Sequence, residues 1–165
     1  MDLAAKLERQ CPSVQLDPTD RAILRQLQRD ARLTNVELAE RVHLSPSACL
    51  RRVRRLEETG VIAQVVALLD PRVVGQAGTS FTIVNVERTT METLKRFEEA
   101  VLQEPSILDC YYVAGSNDYL IRYTYQDAQD LERFHAEVLG RLPGVVRSNS
   151  MLVLRTVKRT TALEV

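Results

Sequence analysis

A chain of 165 residues, 45% hydrophobic and 27% charged, has soluble globular composition and room for two domains of about 50 and 90 residues. No apolar run nears the roughly 18–20 residues that cross a bilayer, and the opening residues lack the apolar core of a secretory signal. Three cysteines, Cys11, Cys49 and Cys110, odd in number and far apart, argue against a disulfide framework or metal cluster and for the reducing cytoplasm.

Residues 1–15, interrupted by Pro12, read as a flexible arm. Asp17-Pro18-Thr19-Asp20 is a helix start, with an acidic cap and Pro at the first helical position. The spacing of Ile23, Leu24, Leu27 and Ala31 predicts one apolar stripe along that helix. Thr34 and Glu37 have capping-box spacing before a short helix over Val36–Val42, whose apolar positions are Val36, Leu38, Ala39 and Val42. His43-Leu44 makes the turn. Ser45-Pro46 then opens a third helix to about Glu58, with Cys49, Val53 and Leu56 on its buried stripe and Gly60 as a left-handed cap. Residues 16–60 thus outline a helix-turn-helix, winged-helix-like domain.

From Val61 to Leu69 the chain is almost continuously apolar, which predicts a strand buried on both sides or paired in a dimer, and 61–78 reads as hinge and linker. Over residues 79–160 strands and helices then alternate. A strand at Thr79–Glu87 precedes a helix opened by Thr89-Thr90-Met91-Glu92 and carrying Leu94, Phe97, Val101 and Leu102. Strands at Ile107–Val113 and Asp118–Tyr125 flank a Gly-containing turn. A helix capped by Asp127 presents Leu131, Phe134, Val138 and Leu142, and a last strand spans Val145–Val157. The order βαββαβ is the ferredoxin-like split arrangement, which makes the chain α+β and leaves 161–165 as a tail. Both helices fall on one sheet face. The other carries apolar residues that a second copy of the chain would cover most simply.

Net charge is zero, yet residues 17–60 hold nine Arg or Lys against seven Asp or Glu, and the stretch Arg41–Leu56 holds five arginines and no acid. A local basic face suffices to neutralise phosphates. Helical geometry sets Ser47, Arg51 and Arg55 on one ridge of the third helix, with Arg52 beside it. These are the candidates for base edges in a major groove, since Arg pairs bidentately with guanine. Arg54 and His43 suit phosphates, as do the free N–H groups at Ser45–Ser47. The competing interpretation is a solvated face pairing with Glu57 and Glu58. Its place as the third capped helix favours DNA.

Several stretches together resemble one known family. In the first half they are Leu16-Asp17 with Asp20 and Ile23-Leu24, Asn35 to Val42, Leu44 to Ser47, Cys49 to Glu57, and Gly60-Val61-Ile62. The second half adds Leu69-Asp70-Pro71, Gly75, Gly115 to Tyr119, and Leu142 to Val145. Colinear over about residues 16–160, they look like the Lrp/AsnC transcription regulators. The resemblance implies a helix-turn-helix joined by a β-hinge to a ligand-sensing domain of ferredoxin-like fold. It also implies dimers that assemble to tetramers or octamers, and pseudo-palindromic double-stranded DNA as target. The further implication is an amino-acid effector at the interface between dimers, tuning genes of amino-acid metabolism.

In that family the turn between the second and third strands of the sheet carries a Gly-x-x-Asp motif, matched by Gly115, Ser116, Asn117 and Asp118. A Gly turn exposes N–H groups for a carboxylate, while Asp118 and turn carbonyls can accept from an ammonium. Tyr112 and Val113 lead into the turn. Ser148 and Ser150 fall where many members carry threonines, and Met151 could touch an apolar side chain. A plain hairpin turn has the same composition. No catalytic constellation, metal motif or cofactor motif appears, so the chain is not expected to be an enzyme. The alternative function is an architectural, nucleoid-like protein that wraps DNA with little sequence preference and no effector.

Overall fold

The computed structural model describes residues 14–87 and 91–165. The flexible arm expected at 1–15 lies, but for Val14 and Gln15, outside the described residues, as does the helix-start pattern at Thr89-Thr90. The chain forms two compact units, one of residues up to 67 together with 158–165, the other of residues 68–157.

Among the described residues the first unit has three helices, α1 (Pro18–Leu27), α2 (Asn35–Arg41) and α3 (Pro46–Glu58). Each starts where the sequence supplies a cap. Asp17 accepts the Asp20 N–H at 2.8 Å, Thr34 accepts that of Glu37 at 3.3 Å, and Ser45 accepts that of Ala48 at 3.3 Å. Between α2 and α3 the Leu44 N–H bonds the Ala39 carbonyl at 2.9 Å, and the His43 N–H bonds that of Glu40 at 3.2 Å. This is the Schellman pattern, with His43 in the left-handed position at φ 55°. Ile23, Leu24, Leu38, Ala39, Cys49 and Leu56 close the core. Leu27, Val42 and Val53 pack against it half-buried, whereas two expected stripe positions do not join it at all. Ala31 lies beyond the end of α1, because Arg29 and Asp30 turn back onto the Gln26 carbonyl, and Val36 is 53% exposed in the first turn of α2.

Val61–Leu69, expected as a strand, forms none: the Ile62 N–H bonds the Leu56 carbonyl at 2.9 Å, and Val61 and Ile62 pack against the core of the three helices. A strand needs a hydrogen-bonded neighbour, and among the described residues no strand pairs with this stretch, so Val65, Val66, Leu68 and Leu69 stay exposed. Asp70 then caps a tight turn that ends at Gly75 (φ 83°).

The second unit runs β1 (Gly78–Val86), α4 (Met91–Leu102), β2 (Ile107–Tyr112), β3 (Tyr119–Tyr125), α5 (Ala128–Arg133) and β4 (Val145–Leu152). All neighbours are antiparallel in the order β2-β3-β1-β4, the ferredoxin-like topology expected from βαββαβ. Cross-strand registers put Val84, Tyr119 and Ile121 on one face, where they pack with Phe97 and Val101 of α4. After Arg133 the α5 helix widens into a π turn, Phe134–Val138, and then tightens at Leu139–Arg141. The wider period buries Phe134 and Leu139, five residues apart, while Val138, expected on the stripe, is half-buried. β4 ends at Leu152, short of the expected Val157. Phe81, Ile83, Tyr111, Leu120 and Met151 occupy the face without helices.

Candidate DNA-reading helix and ligand-binding loop

Helix α3 divides its arginines by what they touch. Arg52 Nη1 donates to Asp17 Oδ2 at 2.6 Å and to Asp20 Oδ1 at 2.8 Å, and Arg55 bonds the other Asp20 oxygen. Asp20 is fully buried, so a carboxylate in the core is balanced by two guanidiniums from the neighbouring helix. The cap bond from Asp20 N–H, and then the Arg52 bond, hold the Asp17 carboxyl below the usual carboxylate range. Arg52, expected to face base edges with Arg55, is therefore tied to α1. Arg55 is tied there too, although it remains half exposed. Ser47, Arg51 and Arg54 are exposed. They flank an open depression of about 590 Å³ that Asp17, Leu50 and Glu58 also line.

Asp20 is the residue that helix-start reasoning undervalued. It lies three and four positions before Ile23 and Leu24, on the buried stripe, and Arg52 lies between Cys49 and Leu56 on theirs. Two opposite charges on two facing apolar stripes were the available signal. Asn35 was missed as well. Its side-chain amide donates to the Pro46 carbonyl at 2.8 Å, which fixes the start of α3 against the start of α2. Ser45, expected at a phosphate, is the cap itself and lies 3.3 Å from the Ser47 hydroxyl. His43 is exposed in the turn.

In the second unit the Gly115–Asp118 turn joins β2 to β3. Gly115 has φ 140°, a backbone that favours glycine, and open space where a side chain would stand. Asp118, expected to accept from an ammonium, points inward instead. It is 2% exposed, and its Oδ2 accepts the Val86 N–H at 3.0 Å. The β1–β4 register slips between Asn85 and Val86, and such a bulge leaves a backbone group unpaired. The Asp118 carboxylate occupies that position. Asn85 donates to the Ser116 carbonyl at 3.2 Å and pins the loop from the other side.

The expected effector residues do not all meet. Val84 is in register with both Tyr119 and Ser148, so exposed Ser148 lies at the same sheet end as the turn. Tyr112, 65% exposed with its ring centroid 5.1 Å from that of Tyr119, lies there too. Val113 donates its N–H to the Asp118 carbonyl at 2.9 Å and closes the hairpin. Ser150 is a step further along and bonds Thr82, with hydroxyls 2.7 Å apart. Met151 pairs with Phe81 on the opposite face, because alternation along a strand separates neighbouring side chains. Ser148 and Met151 therefore cannot share one pocket of a single sheet. Among the described residues, no group of His, Cys, Asp or Glu is arranged to hold a metal, and no helix is long and apolar enough to cross a membrane.

A helix-turn-helix unit with an exposed basic helix, followed by a four-stranded sheet covered on one face, is the architecture of a DNA-binding regulator with a ligand domain. Residues 16–63 match the family model for winged helix-turn-helix DNA-binding, and residues 79–163 match that of the Lrp/AsnC ligand binding domain. The leucine-responsive regulatory protein of Escherichia coli K12 is 38% identical over 152 residues, covering 92% of this chain and 93% of that protein. Transcriptional regulator AzlB of Bacillus subtilis is 33% identical over 92% of this chain and 97% of its own length. A transcriptional regulator of Neisseria meningitidis, solved as an L-Met complex, superposes with a TM-score of 0.87. It is 39% identical, with 91% of this chain and 97% of that one covered. An AsnC-family regulator from Agrobacterium tumefaciens gives a TM-score of 0.86 at 36% identity, covering 90% and 97%. The chain belongs to the Lrp/AsnC family of transcriptional regulators. It is a DNA-binding regulator with a ligand-binding domain, and not an enzyme.

Proposed function

We propose that this chain is a sequence-specific regulator of amino-acid metabolism genes that binds a pseudo-palindromic operator as a dimer or larger assembly. Its activity is tuned by a small amino acid held at the interface between dimers. The observation that carries the DNA part is the division of labour on α3. Asp20 engages Arg52 and Arg55, which leaves Arg51, Arg54 and Ser47 exposed at a capped helix start. Arg51 and Ser47 are assigned to base edges, and Arg54, His43 and the first N–H groups of α3 to phosphates. Arg52 and Arg55 orient the helix.

The effector reading is supported by the ligand-domain match and by the relative solved with L-Met. Gly115, Ser116 and Asn117 are assigned to the ligand carboxylate and Ser148 and Tyr112 to its flank, with Asp118 holding the turn from beneath. Self-association is assigned to the sheet face bearing Phe81, Ile83 and Leu120, and the compartment is the cytoplasm.

The test is operator selection followed by affinity measurement at several salt concentrations. Arg51→Ala is expected to cost about 1–3 kcal/mol and to relax discrimination at one base pair. Arg54→Ala is expected to lower the salt slope by about one without changing sequence preference. Wild-type affinity in both variants would overturn the assignment of α3, and broad phased protection in place of discrete half-sites would favour a wrapping protein.

A further inference from the structure

Residues 158–165 belong to the DNA-binding unit, although the chain reaches them only after passing through the sheet unit. Their attachment to α1 is specific. The side-chain amide of Gln28, just past the last turn of α1, makes two bonds to the main chain of Leu163. Its Nε2 donates to the carbonyl at 3.0 Å, and its Oε1 accepts the N–H at 2.6 Å. Such a donor–acceptor pair offers an extended segment what a neighbouring strand would offer. Arg25 donates to the main-chain oxygen of Val165 at 2.8 Å, and the Val165 side chain packs against the core formed by Ile23 and Leu24.

The other end of α1 carries Asp17 and Asp20, which hold Arg52 and Arg55 of α3. One helix of ten residues is thus clasped by 158–165 at one end and grips the basic helix at the other. We infer that segment 158–165 is a positioning element for the DNA-reading helix. Docked on Gln28 and Arg25, it restrains the last turn of α1, and the Asp20 ion pairs pass that restraint to α3. A helix this short is marginal by itself, so tertiary contacts at its ends set how firmly it holds. The inference rests on the assignment of α3 to DNA.

The full chain is compared with Gln28→Ala, which removes both amide bonds, and with Leu163→Pro, which removes the N–H that Gln28 accepts. A Lys158→Gln/Arg159→Gln double variant removes charge and leaves the clasp. Amide hydrogen exchange of α1 and operator affinity across a salt series are read for each. The clasp variants are expected to exchange α1 amides faster and to bind DNA about five- to tenfold more weakly, with the salt slope unchanged. The charge variant is expected to keep the wild-type slope. Wild-type affinity in both clasp variants overturns the inference. So does a slope that falls only when the two cations are lost, because the segment would then be a phosphate contact. Exchange is measured without DNA, so the two failures are separable. A wild-type chain that binds no DNA sinks the α3 assignment, whereas unchanged α1 exchange with DNA binding intact sinks the clasp.

Discussion

His43 is, among the described residues, the one non-glycine with positive φ. It stands where helix ends usually place Gly, and His is among the residues that tolerate the left-handed region better than most. Left-handed backbone costs a Cβ-bearing residue about 1–2 kcal/mol, and Gly returns about 0.5–1 kcal/mol of that through unfolded-chain entropy. His43→Gly is therefore expected to raise stability by about 0.5–1 kcal/mol, and His43→Val to lower it by about 1 kcal/mol or more, in urea titrations. A less stable Gly variant would mean that the imidazole, and not the turn geometry, holds this position. Asp118 teaches a related lesson. Its type and spacing suit a ligand ammonium, yet a slipped register beside it supplies an internal donor.

The α1–α3 clamp belongs to the scale of elements. Asp20→Ala removes a buried carboxylate, two charged hydrogen bonds and half of a capping box. Charge-assisted hydrogen bonds contribute about 1.5–3 kcal/mol each when buried. Both arginines keep contact with water, so a total loss of about 2 kcal/mol is expected from chemical denaturation. Asp17 adds a pH dependence. Its folded pKa is depressed, first by the Asp20 N–H and then by Arg52, and that of Glu37 is depressed by the Thr34 N–H. A depressed carboxyl stabilises fully above its unfolded pKa of about 4, and the gain disappears as pH falls through the folded value. The urea midpoint is accordingly expected to drop between about pH 5 and pH 3. Asp17→Asn, which retains a cap acceptor, should flatten that decline in part, with Glu37 supplying the rest. An identical acid slope in the Asn variant would remove Asp17 from the account.

At the scale of the whole molecule, the sheet face without helices, where Tyr111 and Met151 are exposed and Phe81, Ile83 and Leu120 half-buried, and the exposed apolar run 65–69 are apolar surfaces in contact with water. Phe81→Lys or Leu120→Lys is expected to shift sedimentation toward monomer, because each places an ammonium at the centre of that face. An unchanged oligomer would put the contact elsewhere. A bound effector should stabilise the ligand domain by about 2.7 kcal/mol at 100 times its dissociation constant. A thermal-shift screen of amino acids, L-Met first, is expected to reveal one, and Gly115→Val, which strains the turn, to abolish the shift. No shift from any amino acid would count against the effector.

Local chemistry was written in the sequence. Caps, stripes and turn residues act within a few positions, so three helices, the βαββαβ order and the family motifs could be read without coordinates. Asp17-Pro18, Thr34–Glu37 and Ser45-Pro46 each open a helix at the expected place, within a residue. Contacts between residues distant along the chain were decided by the tertiary structure alone. Arg52 meets Asp20 across 32 positions, Asp118 meets Val86 across 32, and Gln28 meets Leu163 across 135. Periodicity names the face a residue occupies, but not the partner that waits there. The basic helix was therefore legible as a whole, while the sorting of its arginines into anchors and exposed candidates required the packing of α1 against α3.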